Sequence, residues 1–138
     1  MTSRLAPFAP AALAVFRVIV GLSFLTHGTA KLFGFPDGSP VEVGRWPSWY
    51  AGVIEVVTGL LVAIGLFTAP AAILAAGTMA VAYFWQHFPE SFWPTVNGGE
   101  TAMLYCFAFL LLAVTGPGAW GVQSVRSRRI DRGSAAQP

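Results

Sequence analysis

Apolar positions along this chain gather into four runs, at 10–33, 47–67, 69–88 and 99–117, each close to the roughly 20 residues a helix needs to cross a bilayer. Prolines mark where three of them begin: Pro10, Pro47 and Pro70 suit a helix's first turn, where no backbone donor is lost, and Thr68 is the expected N-cap of the third. The fourth run follows Asn97-Gly98-Gly99-Glu100 and stops at Gly116-Pro117-Gly118. The breaks at 34–46 and 89–98 are long enough to form structure. The break near Phe67 and Thr68 is tight, which makes the second and third helices antiparallel neighbours. Open strands would leave backbone groups unsatisfied in lipid, so the pattern predicts an all-α integral membrane protein, a bundle of four transmembrane helices filling residues 1–122.

Composition strengthens this reading. Apolar residues make up 55% of the 138, charged residues 10%, and mean hydropathy is +0.63, too little charge to keep a soluble domain dispersed. The net charge of +2 is concentrated at one end, where Arg126, Arg128, Arg129 and Arg132 make 123–138 a short basic tail, expected to be disordered, rather than a nucleic-acid surface. Cys106 is the single cysteine, so dithiol chemistry would need a partner. Arg17 in the middle of the first run argues for an uncleaved span and against a signal peptide. The positive tail predicts cytoplasmic N- and C-termini in a multi-pass inner-membrane protein, with Trp46, Trp49, Trp85 and Trp93 flanking the two outer linkers.

Charge inside the apolar runs needs a partner, a cavity or a task. At about 100° per residue, Arg17, Gly21, Phe24, His27, Gly28 and Lys31 share an arc of about 120° on the first helix. Gly52, Glu55 and Gly59 form a stripe on the second, where small residues let a neighbouring backbone approach. Depths counted at about 1.5 Å per residue from each run's middle put Arg17 about 6 Å to the cytoplasmic side, with Glu55 about 3 Å and His27 about 9 Å to the outer side. Arg17 cannot shed its proton, so it is the expected structural partner of Glu55, leaving His27 free for proton exchange. His87 and Glu100 reach the same outer level from the third and fourth helices, beside Trp85 and Trp93.

Plainer readings stand beside these. Glu100 follows Asn97 by three residues, as in a capping box; His87 suits an aromatic belt; Lys31 suits snorkelling to the headgroups; Cys106 suits packing. No HxxxH, ExxH or CxxC spacing supports a metal site. The polar residues together predict an outward-opening pocket for an amphipathic ring such as a quinone or phenol, with His27 and Glu55 exchanging protons and Lys31, His87, Glu100, Trp85 and Trp93 binding the ring.

The segments "FRVIVGLSFLTHGTAKLFGFP", "VIEVVTGLLVAIGLFTAPAA" and "NGGETAMLYCFAFLLLAVTGPGAW", with a histidine closing the third run, resemble the DoxX family of small membrane proteins over about residues 12–121. The resemblance carries Arg17, His27, Gly28, Lys31, Glu55, Gly59, His87, Asn97, Gly98, Gly99 and Glu100 as motif positions. It implies a four-span protein of the cytoplasmic membrane acting in an oxidoreductase system. Its implied companions are quinone rather than any covalently bound cofactor, and a soluble redox partner of sulfurtransferase, quinone reductase or dioxygenase type. The alternative expectation is a membrane scaffold or small-solute carrier, in which Arg17 and Glu55 only lock two helices together.

Overall fold

The computed structural model describes residues 4–124, and among these every regular element is helical. A 3₁₀ turn at Ala6–Phe8 leads into α1 (Ala9–Phe33); α2 (Ser48–Ile64) and α3 (Thr68–Ala82) follow, then a π-helical turn at Tyr83–His87 and α4 (Glu100–Thr115). The expected runs match these helices in order and nearly in length. Ala6–Phe33 and Thr68–His87, of 28 and 20 residues, are long and apolar enough to cross a membrane, whereas α2 and α4 have 17 and 16.

α2 ends earlier than its apolar pattern because Gly65 takes the left-handed conformation, φ 71°, and caps the helix through its N–H. Phe67, with φ 48°, is then the N-cap of α3, so Thr68 is the first helical residue and not the cap. The Thr68 side chain is buried and its hydroxyl has no partner among the described residues.

The closest helix packing is within two pairs, α1 with α2 and α3 with α4; the tight turn also brings α2 and α3 together. Glycines set the first pairing. A β-carbon on Gly21 would meet the backbone of Gly59 and Ala63, and one on Gly28 the backbone of Gly52 and Val56. Residue numbers rise on one helix as they fall on the other, so the pair is antiparallel, with Gly28 at the level of 52–56 and Arg17 at that of Gly65. The α3 face is lined with alanines, Ala71, Ala72, Ala75 and Ala76, which join Ala102, Phe109 and Leu112 of α4 in the core. Phe24 of α1 bridges the pairs, its ring centroid 4.7 Å from that of Phe109.

The outer faces are apolar: Ile19, Val57, Ile73, Leu104, Phe107 and Val114 are all exposed. A water-soluble monomer does not present apolar surface on this scale, whereas lipid accommodates it without cost. Gln123 and Ser124 are the only residues of the expected 123–138 tail within the described part; its four arginines lie outside it.

Candidate functional site

A cavity of about 210 Å³ lies where the C-terminal half of α1, the N-terminal half of α2, the end of α3 and the start of α4 converge. Phe24, His27 and Lys31 reach it from α1 at helical spacings of three and four. Glu55 enters from α2, Met79 and Ala82 from α3, His87 from the π-helical turn, and Thr101, Ala102 and Tyr105 from α4. His27 and His87 therefore share one cavity. The Phe88 N–H bonds back five residues to the Tyr83 carbonyl at 2.9 Å, and this widened turn alters the phase in which α3 delivers His87.

Glu55, 1% exposed, forms its ion pair with Lys31: Nζ donates to Oε1, while Oε2 has no partner among the described residues. This corrects the expected pairing of Glu55 with Arg17. The antiparallel register puts Glu55 level with His27 and Gly28, and a helical side chain leans toward its own N-terminus, which brings the ammonium of Lys31 back onto the carboxylate. Lys31 is accordingly not a free interfacial anchor, though its side chain is 34% exposed.

Arg17 lies at the other end of α2, beside Gly65 and Gly121; 65 minus 55 residues at about 1.5 Å each places it about 15 Å from Glu55 along the axis. It is 2% exposed, and its Nε and Nη1 have no hydrogen-bond partner among the described residues. A β-carbon at Gly65 would collide with Nη1, so that glycine answers both to its backbone angle and to the guanidinium beside it. The carbonyl end of α2 is the favourable end of the helix dipole for a cation.

His27 is exposed at the cavity's edge, its ring edge-on to Tyr105 with centroids 5.6 Å apart. His87 is half-buried, and its Nδ1 lies 3.0 Å from the Asn97 carbonyl; a carbonyl can only accept, so Nδ1 carries the proton. Asn97 itself is buried. Its Nδ2 donates to the Ser91 carbonyl at 2.7 Å and its Oδ1 accepts the Gly99 N–H at 2.7 Å. One asparagine thus braces the 91–99 loop and holds the His87 ring. Asn97→Ala is expected to lower stability by roughly 1–2 kcal/mol, since it strands the Gly99 donor and the Ser91 acceptor; thermal unfolding in detergent measures it.

Three expected ring-binding residues lie outside the cavity. Trp85 and Trp93 are exposed on the surface, and Glu100 is an exposed first-turn residue of α4. The capping box does not form either: Gly99 is the N-cap of α4, and Asn97 spends its side chain on the loop. Trp85 stands within the π turn and Trp93 in the 88–99 bend. Tyr105, which sequence reasoning passed over, stands in the wall against Phe24 and His27. Its signal was available as a polar-tipped ring in an otherwise apolar run. Among the described residues no three His, Cys, Asp or Glu side chains come together as a metal site.

Comparison with known proteins adds a lineage to this geometry. A family model described as DoxX matches residues 12–88. A protein of Haemophilus influenzae, named only as uncharacterized, is 41% identical over 123 residues, covering 85% of this chain and 92% of its own length. Inner membrane protein YphA of Escherichia coli is 31% identical over 123 residues, 80% of this chain and 86% of its own. Uncharacterized membrane protein Rv3486 of Mycobacterium tuberculosis is 29% identical over 140 aligned residues, 87% and 84% respectively. No solved structure matches.

Proposed function

The chain belongs to the DoxX family of membrane proteins, and from that premise we propose that it is the membrane component of an oxidoreductase system whose cavity takes a quinone or a small phenolic or sulfur redox substrate. In this reading all four helices span the inner membrane with both termini cytoplasmic. The arginines of the C-terminal segment, the apolar outer faces and the E. coli relative's description as an inner membrane protein support it. The cavity then opens toward the outer leaflet.

One observation carries the reading: a buried carboxylate, one of whose oxygens has no partner among the described residues, lines a ring-sized cavity whose other walls include two histidines and a tyrosine. Glu55 and His27 hold and exchange the protons that accompany a change in the ring's redox state, and Lys31 and His87 hold the ring oxygens. No dithiol or nucleotide motif lies in the chain, so electrons pass to or from a soluble redox partner of sulfurtransferase, quinone reductase or dioxygenase type.

Binding of a short-chain ubiquinol or menaquinol, whose hydroxyls can donate to a carboxylate, to the purified protein under anaerobic conditions tests this. His27→Ala and Glu55→Gln are expected to weaken binding about tenfold, the worth of one hydrogen bond, whereas Glu100→Gln and Trp85→Ala leave it unchanged. Unchanged affinity in both of the first two variants removes the site and favours a scaffold or carrier.

A further inference from the structure

The polar groups on the cavity walls can be sorted by whether they offer or need a proton. Glu55, which lines the cavity, is tied to the Lys31 ammonium through Oε1, and its buried Oε2, an acceptor, has no partner among the described residues. His87 uses its Nδ1–H on the Asn97 carbonyl, so in the tautomer this bond selects, Nε2 is a second acceptor. Lys31 has two further N–H donors beyond the one given to Glu55. Two residues with acceptors that need protons therefore line the same cavity as one ammonium that can donate.

Apolar side chains supply the rest of the wall. Phe24, Met79 and Ala102 line the same space, suited to the faces of a ring. The volume of about 210 Å³ exceeds the roughly 150 Å³ that accommodates benzene and falls below the roughly 300 Å³ at which drug-sized pockets begin. One substituted six-membered ring fits it.

We propose that this cavity selects the reduced, hydroxyl-bearing form of an aromatic ring, an aromatic diol, over the corresponding quinone. This rests on reading the cavity as a ring site. A diol brings two O–H donors, one for Glu55 Oε2 and one for His87 Nε2, and its oxygens still accept from Lys31. A quinone brings acceptors only. It satisfies Lys31 and leaves the buried Oε2 unpaired, and a site built to hydrogen-bond a hydroxyl rejects the analogue that lacks it.

The wild-type, full-length protein in detergent tests this by calorimetric titration under anaerobic conditions. The probes are catechol and hydroquinone, each against its dimethyl ether, and durohydroquinone against duroquinone. The expected result is a diol bound at least about tenfold more tightly than its ether, and durohydroquinone more tightly than duroquinone by a similar factor. His87→Phe, which keeps an aromatic ring and removes the acceptor, is expected to reduce that preference about tenfold. Equal affinity for duroquinone and durohydroquinone, or tighter duroquinone, overturns the preference while leaving the ring site standing. Equal binding of diols and ethers does the same. Failure of every ring to bind overturns the ring site as well.

Discussion

Gly28→Val is expected to yield no folded protein. The β-carbon alone would lie 2.7 Å from the Val56 backbone nitrogen and 2.8 Å from the Gly52 carbonyl oxygen, and two helix backbones cannot give way as a flexible side chain can. α1 and α2 would have to separate along their length, which also pulls Lys31 from Glu55 and opens the cavity wall between them. Gly28→Ala, carrying only that carbon, is expected to cost at least the roughly 1–3 kcal/mol of an overpacked core. Gly77→Ala supplies the contrast. Gly77 lies inside α3, and a β-carbon there would have nothing within 4 Å, so alanine is expected to be neutral or to stabilise by up to about 1 kcal/mol. Yield, monodispersity and melting temperature in detergent measure all three, and a Gly28→Val protein that melts like the wild type would refute the packing described.

The second large effect is expected from Lys31→Met. Removing the ammonium leaves Glu55 buried and uncompensated, at roughly 3 kcal/mol, the low end for a broken buried pair because Lys31 is itself partly exposed. Replacing both residues, Lys31→Met with Glu55→Met, is expected to recover most of that loss, since an apolar pair of similar volume has no charge to desolvate. The double-mutant cycle for Lys31 and Glu55 should therefore show strong coupling. The corresponding cycle for Arg17 and Glu55 should be additive within about 0.5 kcal/mol, because they lie about three helical turns apart. Coupling in the second cycle and none in the first would restore the pairing expected from depth.

Depth along the helix axes is where sequence reasoning reached its limit. Proline, glycine and apolar run length marked each helix to within a few residues, and helical phase put Arg17, His27 and Lys31 on one face. Register was different. Measuring from the middle of each apolar run treats the helices as ending symmetrically, whereas α2 stops at Gly65 and its alignment on α1 is set by glycine contacts at Gly21 with Gly59 and Gly28 with Gly52. A shift of a few residues moved Glu55 from Arg17 to Lys31.

His87 and Glu100 posed a related difficulty. Both belong to the same end of the molecule, yet a π turn and an asparagine-braced loop decide that His87 lines the cavity and Glu100 does not. Neither device has a residue spacing by which it can be recognised in advance. Tyr105 was missed for another reason: its hydroxyl sets it apart from Phe107 and Phe109 in the same helix, but a polar-tipped ring suits the lipid interface as well as a pocket wall.

Everything proposed for this protein depends on an aromatic ring binding between the two helix pairs, against Glu55, His27 and His87. Photolabelling of the full-length protein with a short-chain azidoquinone, followed by mapping of the modified residues, is the sharpest check. Labels are expected on Met79, Tyr105 and His27, displaced by excess unlabelled hydroquinone. Labels confined to the exposed rings of Phe84, Trp85, Phe92 and Trp93, undiminished by competitor, would show that no ring enters the cavity.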